Sequence, residues 1–159
     1  MQRTIVIGVL AAVAVLGRPT PASADITAFW GFSPTPETRR TGGFAFGVNL
    51  LVVGFEFEYG HTRESELEGA PGVRTGMVNA LVQTPTSNVQ LYVTAGGGFF
   101  RERYRDRSET GFGTNIGGGV KFQLAGPLRA RIDYRIFNLR GDPLYPTPKR
   151  LYAGLNFSF

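Results

Sequence analysis

The sequence of 159 residues contains no cysteine, only one histidine and only one tryptophan. Without cysteine the chain cannot form a disulfide scaffold, carry a lipid-modified N-terminal cysteine or use a thiol nucleophile. One histidine without cysteine gives no basis for a metal site, and no motif indicates a cofactor. After residue 24, no apolar run reaches the ~20 residues that a transmembrane helix needs. Fold and function must therefore be inferred from other patterns.

The N-terminus has the three parts of a secretory signal peptide. A short basic start at residues 1–3 precedes an apolar run at residues 4–17, and Ala22, Ser23 and Ala24 form an A-x-A cleavage site. The apolar run is short for a membrane span, although an uncleaved anchor helix is the alternative reading. We predict that residues 1–24 are a cleaved signal peptide and that residues 25–159 form one domain.

Residues 150–159 alternate strictly between two kinds of side chain. A β-strand has a side-chain period of two, so one face of this segment is apolar and the other is small or polar. The apolar face comprises Leu151, Ala153, Leu155, Phe157 and Phe159. A strand that faces lipid on one side and a polar lumen on the other needs this pattern.

Seven earlier segments alternate in the same way, which predicts eight strands. The predicted strands are residues 25–32, 41–49, 52–62, 74–83, 89–101, 111–124, 128–137 and 150–159. The connections alternate between long and short, as in outer-membrane barrels with long outer loops and short periplasmic turns. We therefore predict an all-β fold, an eight-stranded antiparallel up-and-down transmembrane β-barrel. Inward glycines are interpreted as packing relief in its narrow interior.

The C-terminal strand also resembles a known family. Tyr152, Gly154, Phe157 and Phe159 are similar to the C-terminal assembly signal of bacterial outer-membrane barrels. Residues 54–59, 117–122 and 131–135 extend the resemblance to the small outer-membrane beta-barrel domain family, the OmpA-like and OmpX-like eight-stranded barrels. The resemblance implies a bacterial outer-membrane location, outer-membrane lipid and lipopolysaccharide as surroundings, and the barrel assembly machinery as a partner during biogenesis. A monomer is expected.

A set of charged residues falls on inward positions of the predicted strands. The set comprises Glu56, Glu58, Lys121, Arg129, Arg131, Asp133 and Arg135. Strands three and seven lie opposite each other in an eight-stranded ring, and an unpaired buried charge is costly. We predict a structural ion-pair network that plugs the lumen. The alternative is a gate whose pairs exchange to open a narrow ion path.

Two further candidates lie near the outer loops. His61 is close in sequence to Glu64, Ser65 and Glu66, and lipid A enzymes of this fold use histidine, serine and acidic residues at the outer rim. Nucleophilic catalysis needs a fixed base within hydrogen-bond reach of the nucleophile, and this sequence shows no tight His-x-Ser pair. We predict no catalytic residue and no enzyme activity. A lipid A modifying enzyme that uses His61 is the alternative.

The predicted third outer loop, residues 102–110, is rich in arginine. If the flanking strands extend past the membrane, Arg101, Arg103, Arg105 and Arg107 share one edge and can contact lipopolysaccharide phosphates. The alternative is a solvated hairpin. Nucleic-acid binding is excluded because no aromatic stacking platform accompanies these charges.

These patterns predict an integral outer-membrane barrel with a structural or surface-interaction role. That role is membrane stabilisation or adhesion through long outer loops. Outward aromatic residues predict belts at both membrane interfaces. They are Trp30, Phe32, Tyr59, Phe99 and Phe112 at the loop ends, and Phe122, Phe157 and Phe159 at the turn ends. A soluble lipocalin-like barrel, with its apolar face inward, is a further alternative.

Overall fold

A computed structural model describes residues 22–86 and 88–159 as eight β-strands. They are β1 (Ser23–Ser33), β2 (Arg39–Leu50), β3 (Val53–Thr62), β4 (Gly72–Gln83), β5 (Val89–Tyr104), β6 (Arg107–Ala125), β7 (Leu128–Leu139) and β8 (Lys149–Ser158). Residues 1–21 of the predicted signal peptide lie outside the described residues, and the predicted cleavage stays a prediction. No helix in the described part of the chain is long and apolar enough to span a membrane.

The strands form a closed barrel in which each pairs antiparallel with its neighbours in the chain. Closure comes from β1 and β8, whose register runs from Asp25↔Ser158 to Phe32↔Leu151. Closing the sheet removes the unpaired strand edges on which other chains could pair. The predicted eight-stranded antiparallel barrel is confirmed.

Side-chain alternation gives the barrel an apolar outside and a polar inside. Phe55, Val93 and Ile116 point outward and are each more than half exposed, whereas Glu58 and Arg131 inside the barrel have no solvent exposure. The predicted facing of the strands is confirmed. The lipocalin-like alternative is wrong, because that fold requires the opposite orientation.

The predicted strand bounds fail most at the third outer connection. Residues 102–110 were expected to form a loop, but β5 continues to Tyr104 and β6 begins at Arg107. Only residues 105–106 form the turn, and Arg103 pairs with Ser108 across the hairpin. Alternation of polarity disappears here because polar or charged residues occupy both faces of the hairpin, including Glu102, which is buried beside the last outer loop. The charged sequence was therefore misread as a loop.

The other outer connections are residues 34–38, 63–71 and 140–148, and the inner connections comprise residues 51–52, residues 84–86 with 88, and residues 126–127. Near the outer connections the lumen holds an apolar cluster that the sequence analysis did not predict. It comprises Val73, Met77, Phe100, Phe137 and Leu139. The interior is thus divided into an apolar outer part and a charged middle part.

Candidate functional site

The middle of the lumen is filled by charged side chains from β7 and β3. Residues two apart on a strand share a face, so Arg131, Asp133 and Arg135 all project inward from β7. Arg131 forms a two-point ion pair with Glu56 from β3, and its Nη2 lies 3.0 Å from Asp133 Oδ2. Arg135 Nη2 lies 2.8 Å from Glu56 Oε1, and its Nε lies 3.0 Å from Asp133 Oδ1. The two arginines therefore share the same two carboxylates.

Glu58 links this cluster to β8. Its Oε2 lies 3.0 Å from Arg135 Nη1, and its Oε1 lies 2.9 Å from Arg150 Nη1. The Tyr152 hydroxyl donates to Glu58 Oε2 at 3.2 Å. The sequence analysis did not place Arg150 in the network, because it stood at the predicted start of strand eight. The inward orientation of Arg150 could have been predicted, because it lies two residues before the inward Tyr152 on the same strand.

Tyr92 connects β5 to the same cluster. Its hydroxyl donates to Asp133 and accepts a hydrogen bond of 2.7 Å from Arg131 Nε. The guanidinium of Arg131 also lies 4.8 Å from the centre of the Tyr92 ring. Alternation along β5 places Tyr92 on the inward face but does not specify its partner.

The predicted residues Lys121 and Arg129 lie nearer the inner turns. Lys121 Nζ lies 2.9 Å from Asp25 Oδ2, which also accepts a hydrogen bond of 2.8 Å from Asn49. Arg129 is half-buried and donates to Gln90 Oε1 at 3.2 Å. Among the described residues it forms no ion pair, so it lies outside the network proper.

We define the plug by six residues that are almost fully buried: Glu56, Glu58, Arg131, Asp133, Arg135 and Arg150. Three carboxylates thus meet three guanidinium groups, and the formal charges cancel. Charges removed from water need such compensation, because each costs several kcal/mol if left alone.

Glycine supplies the space that the plug occupies. A Cβ added to Gly60 would lie 2.8 Å from Arg150 Cζ, and one added to Gly117 would lie 2.8 Å from Arg135 Cγ. Both glycines face the lumen on strands beside the plug. At these two inward positions, the absence of a side chain leaves space for a particular arginine.

The outer end of the lumen is tied to the loops by buried polar residues. Arg39 donates to the carbonyl oxygens of Pro71 and Thr35, the latter at 2.8 Å. Glu102, three residues beyond Phe99 on β5, accepts a hydrogen bond of 2.7 Å from the Leu144 amide. Burial raises the pKa of the Glu102 carboxyl, while backbone hydrogen bonds act in the opposite direction. These contacts hold residues 63–71 and 140–148 across the barrel end.

The predicted arginine edge of the outer hairpin is divided in the structure. Arg101 and Arg103 lie on the outward face, where Arg101 Nε donates to Ser108 at 3.2 Å. Arg107 pairs across the turn with Tyr104 and lies 2.6 Å from Asp142 of the last outer loop. Arg105 lies in the turn, with its guanidinium 5.2 Å from the Tyr104 ring centre. Arg107 pairs with Tyr104, which faces the opposite way from Arg101 and Arg103, and Arg105 lies in the turn. The four arginines therefore do not share one edge.

His61 lies on the exposed outward face, two residues beyond Tyr59. Ser65 is engaged through its backbone with Ala70, and Glu64 lies 3.9 Å from Arg103. Within the described residues the His61 ring forms no hydrogen bond with Glu64, Ser65 or Glu66, so the catalytic grouping is not assembled. In that same part of the chain no group of three histidine, cysteine, aspartate or glutamate residues is placed to hold a metal ion.

The outward aromatic residues form contacts near the outer ends of the strands. The rings of Phe44 and Tyr59 are 5.5 Å apart, and those of Phe99 and Phe112 are 6.1 Å apart. We call these four residues, Phe44, Tyr59, Phe99 and Phe112, the outer belt.

The residues of the predicted assembly signal divide between the two faces of β8. Tyr152 is buried and stacks on Phe29 at 4.1 Å, and Gly154 also lies against Phe29. Phe157 and Phe159 are exposed on the outside. Recognition of these residues by assembly machinery stays a prediction.

Comparison with known proteins identifies relatives of the barrel. Residues 11–159 match the model of the outer membrane protein beta-barrel domain family. The N-terminal barrel domain of Pseudomonas aeruginosa OprF is similar with a TM-score of 0.65 and 20% identity, covering 86% of this chain and 97% of that one. Neisserial surface protein A is similar with a TM-score of 0.66 and 15% identity, covering 87% and 96%.

An enzyme with the same fold is also similar. The outer membrane enzyme PagL matches with a TM-score of 0.52 and 14% identity, covering 84% of this chain and 98% of that one. No curated protein sequence matches this chain significantly. At these identities the structural similarities establish the fold alone.

Proposed function

Because this chain belongs to the outer membrane protein beta-barrel domain family, we propose that it is a sealed structural barrel that stabilises the bacterial outer membrane. Family membership gives the location, and the exposed apolar surface faces lipid. The strand ends beside residues 34–38, 63–71, 105–106 and 140–148 then face outward from the cell, because the chain termini of such barrels are periplasmic.

The plug is the observation that carries this proposal. An eight-stranded barrel is just wide enough for side chains to fill it. Arg131 and Arg135 have no solvent exposure, and each is bound to two or more carboxylates from opposite walls. Opening an ion path would require several buried pairs to separate together, which favours a closed lumen.

The outward arginines support contact with the outer leaflet. Arg101 and Arg103 extend from β5 beyond the outer belt, where lipopolysaccharide phosphates lie. Guanidinium groups bind phosphate through paired hydrogen bonds. Arg105 and Arg107 contribute less to such contact, because Arg107 is already paired with Asp142.

Two measurements test the proposal. Single-channel recording of the refolded barrel in planar bilayers should show no steady conductance. A steady conductance in the unmodified protein that is lost in Arg131→Ala would contradict the plug and support the gate. Cells without the protein should become more sensitive to detergents, and unchanged sensitivity would contradict the stabilising role.

The proposal includes no catalytic activity. Within residues 22–86 and 88–159, the His61 ring has no hydrogen bond to an acidic residue or a serine, and nucleophilic catalysis requires both partners. Mass spectrometry of lipid A from cells with and without the protein should give the same acyl pattern. A change that His61→Ala abolishes would instead support the lipid A enzyme.

Adhesion is the second surface role. The third outer connection is a turn of residues 105–106 rather than a long loop. The protruding end of the β5–β6 hairpin and the outer loops of residues 63–71 and 140–148 are the surfaces available for it. Binding of intact cells to host-cell monolayers, with and without the protein, measures this role directly.

A further inference from the structure

We propose that the outward face of β1 to β5, just beyond the outer belt, binds one phosphorylated lipid of the surrounding leaflet. One acyl chain occupies a notch over Gly42, and a phosphate group binds the arginines beside His61. This site rests on the proposed stabilising function and deepens it by naming a ligand class and the residues that hold it.

The notch exists because glycine interrupts a row of larger outward side chains. Gly42 pairs with Trp30 on one side and with His61 on the other. A cavity of about 540 Å³ opens over it, lined mainly by Trp30, Phe32, Arg40, Gly42, His61 and Arg63. A Cβ on Gly42 would meet its nearest atom, Phe29 O, at 3.4 Å. The position therefore accepts a side chain, and the glycine serves to leave the notch open.

The notch has an apolar wall that continues the lipid-facing surface. Trp30 is 60% exposed and Phe32 is 53% exposed, although both are large and apolar. The acyl chains of the outer leaflet already surround this height of the barrel, and an apolar wall there packs against them without displacing water. A lipid tail, already present beside the barrel, is the occupant that such a wall favours.

A second cavity adjoins the notch across His61 and carries the positive charge. It has a volume of about 380 Å³ and is lined by His61, Arg63, Glu64, Gly72, Arg74, Arg101 and Arg103. Glu64 lies 3.9 Å from Arg103 and also accepts from the Arg105 amide. Within residues 22–86 and 88–159, Arg63 and Arg74 form no ion pair. An anion bound here would neutralise charge that the protein leaves uncompensated.

His61 reports the electrostatic potential at the junction of the two cavities. Arg63 and Arg74 line the cavity beside its ring and place positive charge there. The other charged groups that line the two cavities are Arg40 of β2, Glu64 of the loop after β3, and Arg101 and Arg103 of β5. A phosphate bound beside the ring would favour the imidazolium form and raise the pKa.

The test uses the single histidine of the chain as a probe. The barrel is placed in nanodiscs of phosphatidylcholine alone or with bisphosphorylated lipid A, and His61 is titrated by NMR. We expect lipid A to raise the pKa of His61 by about one unit. Inorganic phosphate added to the phosphatidylcholine discs should leave it unchanged, because a free ion lacks the acyl chain.

Two matched pairs of variants separate a site from a general surface effect. Gly42→Leu fills the notch and should abolish the lipid A shift. Gly76→Leu should retain it, because Gly76 is also outward and a Cβ there meets nothing within 4 Å. The double variant Arg63→Gln/Arg74→Gln should lose the shift, whereas Arg140→Gln in the exposed last loop should retain it.

Three results would overturn the site. Equal shifts in Gly42→Leu and Gly76→Leu would mean that lipid A acts only through its diffuse surface charge. An equal shift with inorganic phosphate would mean a free-anion site, and no shift in the unmodified protein would mean no phosphate beside His61. None of these results changes the conductance or detergent-sensitivity measurements, so the two proposals fail separately.

Discussion

The arginines of the lumen and those of the outer hairpin are the same residue type in opposite environments. Arg131 and Arg135 have no exposed surface and are held by several carboxylates. The side chain of Arg107 is 47% exposed, and its one ion-pair partner, Asp142, is 88% exposed. The two groups carry the same charge. They differ in the strand face that each residue occupies and in its height along the barrel.

The difference decides what each arginine contributes. Removing one partner of a buried network leaves the opposite charges without compensation in a low-dielectric interior. An exposed pair gains little, because water and salt screen it and both side chains lose entropy. We therefore assign closure of the lumen to the buried arginines and lipid contact to the exposed ones.

The largest expected effect comes from removing Arg131. Arg131→Met should lower the free energy of unfolding by about 3–5 kcal/mol, because Glu56 and Asp133 lose a shared cation. Urea unfolding in detergent, followed by tryptophan fluorescence, measures the change. Arg101→Met is the exposed control and should change it by less than about 1 kcal/mol. Equal losses would remove the distinction between the two groups.

A smaller effect is expected when the space for an arginine is removed. Gly60→Ala should destabilise the barrel by about 1–3 kcal/mol, since the added methyl group displaces Arg150 from Glu58. The control is Gly76→Ala, which has open space on the outside. Its stability should stay the same or rise slightly, because alanine is favoured over glycine in strands. A stable Gly60→Ala barrel would show that the plug repacks freely.

Removing one uncharged hydroxyl group that contacts the plug should lower the free energy of unfolding by a smaller amount. Tyr92→Phe removes the hydroxyl that joins Asp133 to Arg131 and should cost about 1 kcal/mol. Tyr134 is 41% exposed on the outer surface and serves as the control. Tyr134→Phe should leave the unfolding midpoint unchanged. A larger loss at Tyr134 would indicate that outer-surface contacts dominate stability.

The smallest effect is expected at the hairpin tip. Arg107→Ala should change the free energy of unfolding by less than about 1 kcal/mol, and added salt should reduce the difference further. Repeating the urea titration at low and high salt checks both statements. A large, salt-independent loss would mean that the Arg107–Asp142 pair holds the outer loops as firmly as the plug holds the lumen.

Much of the fold could be predicted because a barrel between lipid and a polar lumen exposes every strand to two different environments. In β3 the outward Phe55 and Phe57 alternate with the inward Glu56 and Glu58, and the register of the whole strand follows from that contrast. The prediction failed at residues 102–110, where both faces of the hairpin carry polar or charged residues and the contrast is lost.

The partners of the plug were less predictable than its members. Arg150 and Asp25 were left out because they stood at predicted boundaries, and Arg129 was included although it binds only Gln90. The apolar cluster around Met77 and Phe100 was missed because inward positions were expected to be polar or small. Contact between particular residues depends on strand stagger, which alternation does not encode.

The sequence by itself determined the strand number, the antiparallel barrel and the facing of most residues, because local periodicity carries that information. Only the tertiary structure decided which acid each arginine binds, that Arg107 turns away from Arg101 and Arg103, and that Gly42 lies between Trp30 and His61. These are pairings between distant parts of the chain. They are set by register and barrel closure, which no single segment of sequence specifies.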